Sequence, residues 1–417
     1  MDITLIVVLV IGLALFFDFT NGFHDTANAM ATPIATGALK PKTAVALAAV
    51  LNLIGAFLST EVAKTISSGL IKEGEGGILI TPELIFAGLI GAIVWNMLTW
   101  LLGLPSSSSH ALFGGLIGAA LVGYGTGAIN FAVLLSKVIM PALIAPLTAG
   151  IIAFLVTKLA YRLTRRYDGK PDGRDGFRYG QIFTSSLVAL AHGTNDAQKT
   201  MGVITLTLVA VGAQAAGTGP EFWVVVVCAL AIALGTYVGG WRIIKTLGTG
   251  LTEVKPAQGF AAEASTAATI LASSHLGFDL STTQVASGSV IGSGLGRRGS
   301  KVRWGTVGRI GLGWLMTLPA AGAVGAIAAL VAHLGPIGVI ADAVVGVGII
   351  LGIYLWSRRD AIGSHNAVSD VADAGLAVKI KRNPKPTRAA RAAAKAAKAA
   401  AVPAATDVDA GTGKDKR

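Results

Sequence analysis

Two short stretches of this chain carry residues able to bind ions or move protons. Residues 191–202 read AHGTNDAQKTMG and residues 21–31 read NGFHDTANAMA, each flanked by apolar sequence. Setting Gly22 on Gly193 places Asp25 on Asp196, His24 on Asn195 and Asn28 on Lys199. A charge at the centre of a bilayer costs roughly 2.5–3.5 kcal/mol on insertion scales, so such residues need a partner or a ligand. Asp25 and Asp196 suit a coupling cation, or carry a proton themselves. Asn28 and Asn195 supply amide oxygens and donors for either task. Lys199 can stand beside an anion or simply pair with Asp196. His24 suits a proton relay, since an unperturbed imidazole titrates near neutral pH, and suits a packing role equally.

A second matched pair lies further along. Residues 105–118 read PSSSSHALFGGLIG and residues 279–292 read DLSTTQVASGSVIG. Placing His110 on Gln284 aligns Gly114 with Gly288 and Gly118 with Gly292. It also lays Ser107, Ser108 and Ser109 on Ser281, Thr282 and Thr283. Hydroxyls and free backbone N–H groups at a helix start favour an anion, and the helix dipole adds to the effect. Serine and threonine are also ordinary N-caps. Two matching starts, each accompanied by a buried aspartate motif, point to a site that grips a tetrahedral oxyanion from both sides.

The elements that must position these residues are membrane helices. The chain is 53% hydrophobic and 13% charged, against about 25% charged in a soluble domain. Helices are expected over 3–19, 43–60, 82–104, 108–123, 131–158, 181–212, 222–240, 257–275, 284–295, 304–334 and 338–356. Residues 3–17 lack a basic leader and a cleavage site, and read as a first membrane helix rather than a signal peptide. Basic residues at Lys40/Lys42, Arg162–Arg178, Arg242/Lys245 and Arg297–Arg303 all face the cytoplasm if the N-terminus lies outside and the C-terminus inside. An odd number of crossings then separates the copies, which inverts the second. The fold class expected is an all-α polytopic membrane protein of two inverted-topology repeats, with about 10–12 transmembrane segments, some broken or re-entrant. The organisation that follows is a first repeat over 1–158, a cytoplasmic basic loop over 159–180, a second repeat with a last helix over 181–357, and a basic low-complexity tail over 358–417.

Several function classes fall away. The net charge of +12 is concentrated in the tail, where 13 basic residues face 6 acidic ones, and otherwise in short loops, a topology signal rather than a nucleic-acid surface. Cys228 is the only cysteine, so no intramolecular disulfide or cysteine metal site exists. HExxH, GxSxG, CxxC and P-loop motifs are absent, arguing against an enzyme and against ATP-driven pumping. No resident metal or cofactor is expected. Asn52, Asn96, Thr99, His110, Glu263, His275 and Asp279 are weaker polar candidates within or beside the apolar segments.

The motifs GFHDTANAMAT and HGTNDAQKTMG, followed respectively by PSSSSH and LSTTQ, resemble the duplicated signature of the inorganic phosphate transporter (PiT) family, over roughly residues 1–370. The resemblance implies a secondary transporter that moves phosphate with a cation through a multi-pass plasma membrane. It implies that Asp25, Asn28, Asn195 and Asp196 line the substrate and ion site, and that Ser107–Ser109 and Ser281–Thr283 contact phosphate oxygens. Sodium-coupled members of the family resemble GANDVANA in both copies. Here His24 and Lys199 stand where those members have asparagines, which favours the proton over sodium as coupling ion. The branch most resembled is linked to proton symport, with phosphate entering free or as a neutral divalent-metal complex. The expected partners are inorganic phosphate, the coupling cation and the lipid bilayer, with no nucleic acid; association into a homo-oligomer stays open. Rival readings are sodium-coupled phosphate symport, a sulfate permease, a passive anion channel and, least favoured, an intramembrane hydrolase.

Overall fold

The computed structural model describes residues 3–64, 80–164, 172–275, 280–365 and 367. The segments expected to be helical are helical: α1 Ile3–Ala35, α2 Pro41–Gly55, α3 Pro82–Leu101, α4 Ser108–Tyr124, α5 Met140–Thr164, α6 Asp172–Ala210, α7 Phe222–Val238, α8 Pro256–His275, α9 Thr282–Gly296, α10 Trp304–Ala332 and α11 Pro336–Ser357. Among the described residues the only sheet-like pairing is a bridge between Thr252 and Val302. Five helical spans are long and apolar enough to cross a membrane, and a sixth arises if α7 and the short helix after it count as one. The chain is therefore a multi-pass, helical membrane protein. Residues 373–417, like Asp279, lie outside the described residues.

Helices extend into the segment expected as a loop over 159–180, since α5 runs to Thr164 and α6 begins at Asp172, and the largest departure is in α1. The first helix does not stop near residue 19 but runs through the polar motif and past Pro33 to Ala35. Most of the polar side chains, Asn21 apart, are bonded across to other helices or back to the helix itself, as when Thr26 donates to the Gly22 carbonyl at 2.6 Å. Nothing competes with the backbone ladder, and the helix continues. The interruptions fall elsewhere. α4 and α9 begin at Ser107 and Ser281, whose extended backbone and hydroxyl caps start each helix. α7 ends at Gly239, with φ of +78°, and the chain restarts as a short helix bent by 58°.

The two serine-led helices are held in the same way. α4 crosses α10 at Gly114 and Gly118, which meet the backbone of Leu318 and Gly322. α9 crosses α5 at Gly288 and Gly292, which meet the backbone of Pro146 and Gly150. A Cβ on Gly118 or Gly292 would run into a glycine carbonyl of the partner helix, so these crossings need glycine for closeness rather than for an unusual φ. The outer surface is apolar. Leu143, Leu147, Ile151 and Leu155 recur every four residues on the exposed side of α5, as a lipid-facing helix requires.

Candidate functional site

Polar side chains form a buried stripe along α1 at Asp18, Asn21, Asp25, Asn28 and Thr32. Their spacing of three and four residues puts them on one face. α6 presents Gln181, Thr184, His192, Asn195, Asp196 and Lys199 in the same manner. α1 and α6 pack together with the starts of α4 and α9 against the middle of these stripes.

At that middle the two aspartates meet. Asp196 receives Lys199 Nζ on Oδ1 at 2.7 Å and Asn195 Nδ2 on the same oxygen at 2.9 Å, while His192 Nε2 lies 2.9 Å from Oδ2. Asp25 Oδ1 lies 2.7 Å from His24 Nδ1 and 3.1 Å from the Thr283 hydroxyl that donates to it. Its Oδ2 faces Ser108 at 3.4 Å and His192 Nε2 at 3.8 Å. Thr282 joins the halves: its hydroxyl lies 3.3 Å from Asp25 Oδ2 and 3.2 Å from Asp196 Oδ2. Asn28 donates to Thr282 at 3.3 Å and to Thr283 at 3.0 Å. All of these side chains are buried.

The sequence-expected residues thus divide into three groups. Asp25, Asn28, Ser108, Asn195, Asp196, Lys199, Thr282 and Thr283 come together around the paired carboxylates. Ser107 and Ser281 are buried N-caps, accepting from His110 N at 3.2 Å and Gln284 N at 3.3 Å, and each keeps a hydroxyl proton to donate. Ser109 is buried beside them with no protein partner for its hydroxyl. His24 binds Asp25 through Nδ1 and turns Nε2 toward Thr99 and Ser106, both at 3.4 Å. Lys199 pairs with Asp196, a contact compatible with a place beside an anion. Among the weaker candidates, Glu263 belongs to a separate cluster with Thr32, Thr184 and Gln181, one to two turns along the stripe.

His192 was not among the expected site residues, yet like Thr282 it reaches both carboxylates, and it does so with a titratable ring. Its other nitrogen, Nδ1, lies 3.2 Å from Asn52 Oδ1, and Asn52 in turn donates to Thr236 at 2.7 Å. With oxygen atoms 2.9 Å and 3.2 Å from its two nitrogens, the ring stands where a proton can be held or passed on. The signal was present: His192 sits four residues before Asp196, on one face of one helix. Asp25, His192 and Asp196 each offer one ligand atom, and the three atoms lie within 4.8 Å of one another. Two carboxylates and an imidazole are a donor set for a divalent cation, although Lys199 and Thr282 already bond to the same carboxylates.

Known proteins resemble the chain in sequence and in fold. The profile of the phosphate transporter family matches residues 21–325. The chain is 55% identical over 370 residues to a "Probable low-affinity inorganic phosphate transporter" of Mycobacterium bovis, covering 88% of this chain and 87% of that protein. It is 41% identical to a protein of the same description from Bacillus subtilis, covering 76% of this chain and 95% of the relative. Among solved structures, a protein described as "The sodium-dependent phosphate transporter" superposes with a TM-score of 0.69 at 23% identity, covering 79% of this chain and 99% of the other. That likeness shows the fold.

Proposed function

The chain belongs to the phosphate transporter family, and from that premise we propose that it imports inorganic phosphate by symport with protons, as a secondary transporter of the plasma membrane. The observation that carries this reading is the Thr282 hydroxyl between Asp25 and Asp196. It brings the start of an anion-favouring helix into direct contact with two cation-favouring carboxylates. A site of that kind binds an anion and a cation as one unit, which is the requirement for symport. Phosphate is held by donors at the starts of α4 and α9, with Ser107, Ser108, Ser109, Ser281, Thr282 and Thr283 around it and Asn28, Asn195 and Lys199 alongside. Asp25 and Asp196 hold the coupling cation and His24 relays the proton.

The proton is favoured over sodium by the imidazoles. His24 and His192 stand against the carboxylates, where a sodium site would call for neutral oxygens. The matched crossings of α4 with α10 and of α9 with α5 support movement of two inverted repeats against each other around a fixed site. Basic loops and the basic tail then face the cytoplasm.

A second reading concerns the form of the substrate. The ligand atoms of Asp25, His192 and Asp196 favour a neutral divalent-metal–phosphate complex as cargo, with the metal taken by these three groups.

The test is radiolabelled phosphate uptake into proteoliposomes under imposed pH and sodium gradients, with D196N alongside. Accumulation driven by an inward proton gradient and lost in D196N is the expected result. Uptake that follows sodium overturns proton coupling, and flux without accumulation indicates a channel. Competition by sulfate but not arsenate indicates a sulfate permease. Uptake that requires magnesium and is abolished by a chelator selects the metal complex.

A further inference from the structure

Asp18 lies two turns before Asp25 on the same stripe of α1, about 10 Å away along the helix axis. It is fully buried, and neither of its carboxylate oxygens has a hydrogen-bond partner. One turn on, Asn21 is also fully buried, and neither its amide oxygen nor its nitrogen is bonded. Thr200 of α6 lies beside Asp18, buried, with its hydroxyl likewise unpartnered. Three polar side chains from two helices thus leave their hydrogen-bonding capacity unfilled in one place. Buried polar groups are otherwise paired in nearly all proteins, so such a group marks a site for something that comes and goes.

The contrast with the central carboxylates is sharp. Asp25 is met by His24, Ser108, Thr282 and Thr283, and Asp196 by Lys199, Asn195, His192 and Thr282. A proton placed on either must displace existing donors. Asp18 has only the Thr200 hydroxyl beside it and no hydrogen bond of ordinary geometry to displace. The charged and titratable groups within electrostatic reach of it are His192, Asp196 and Lys199 on α6 and Cys228 on α7. Lys199 is bonded to Asp196, and His192 Nε2 lies 2.9 Å from the same carboxylate. An ionised carboxylate in apolar surroundings is stable only with a proton or a cation upon it.

We infer that Asp18, flanked by Asn21 and Thr200, is an additional proton acceptor of the transport cycle, loaded from the membrane face remote from the basic loops. The stripe gives the direction. Its opposite end, at Thr32 and Gln181, lies next to Thr36 and to Arg178, which begins the expected cytoplasmic side. In the step proposed, the Asp18 carboxylate takes a proton from hydronium on the outer side, giving the carboxylic acid and water. When the site reopens inward, the acid returns the proton to water on the inner side. No other reactant is needed. This inference rests on the reading of proton symport given above.

The experiment compares Asp18→Asn and Asp18→Glu with the unmodified protein in proteoliposomes, using labelled phosphate. Two assays separate coupling from binding: accumulation under an inward proton gradient, and phosphate–phosphate exchange at equal pH. For Asp18→Asn, accumulation should fall at least about tenfold while exchange stays within about twofold. Asp18→Glu should keep gradient-driven uptake with a displaced pH profile. Asn fills the same volume without the unpaired charge, so Tm should hold or rise, whereas a structural role for Asp18 predicts a fall. Accumulation in Asp18→Asn equal to that of the unmodified protein overturns the inference, as does parallel loss of exchange. Sodium-driven uptake that disappears in Asp18→Asn assigns the place to sodium and overturns it too. Should the unmodified protein show no proton-driven accumulation, proton symport itself fails, an outcome visible before any variant is made.

Discussion

Lys199 Nζ lies 2.7 Å from Asp196 Oδ1, three residues away on the same helix, and both side chains are fully buried. Removing one member of such a pair strands the other charge, which costs about 3–5 kcal/mol. K199M should therefore lower Tm sharply, whereas the double variant D196N/K199M should recover most of the stability. Neither should transport phosphate. Melting curves in detergent together with uptake assays check both parts, and a stable, active K199M would remove Lys199 from the site.

Thr282 is the single hydroxyl shared by both carboxylates. T282V deprives Asp25 and Asp196 of a donor at nearly unchanged volume, a loss of about 1–3 kcal/mol. The KM for phosphate should rise by about 5- to 150-fold at that energy. T282S should restore most of it. A T282V protein with unaltered KM would separate the helix start from substrate binding.

His192 couples the copies through Asp25 and Asp196. A double-mutant cycle of H192N with D196N should give a coupling energy of about 0.5–3 kcal/mol in Tm-derived stability. Additive effects would mean that the 2.9 Å contact contributes nothing.

The glycine crossings can be tested away from the site. G118V and G292V each drive a side chain into a backbone carbonyl of the facing helix. Overpacking of this kind costs about 1–3 kcal/mol or more. Both variants should show reduced Tm and reduced uptake, whereas G12V, where a Cβ meets nothing, should show neither. Equal behaviour of the three would show that the crossings tolerate separation.

Much of this arrangement was legible in the sequence, for particular reasons. Apolar runs and their turn residues marked the helices, and the Ser107 and Ser281 caps follow from hydroxyls placed just ahead of glycine-rich helical sequence. Asp25 and Asp196 declared themselves through the expense of burying charge. His192 did not, because aligning the motifs drew attention to His24, while the counterpart of His192 is the unbonded Asn21. The continuation of α1 to Ala35 was hidden for a related reason. A polar motif within an apolar run reads as a break, and only the partners on other helices show that most of its side chains are satisfied without one.

The central network also bears on how the protein responds to voltage. Asp25 and Asp196 set two carboxylates in one small buried volume with Lys199 and the His192 imidazole against them, and with a proton on that ring the four charges balance. Each uncompensated charge moved across the membrane would exchange about 2.3 kcal/mol with a potential of 100 mV. A balanced quartet exchanges none, so voltage dependence in the return of the empty carrier falls to carboxylates outside it, Asp18 first among them. Over a full cycle the charge on the protein returns to its start, and current per phosphate counts the cations that travel with it.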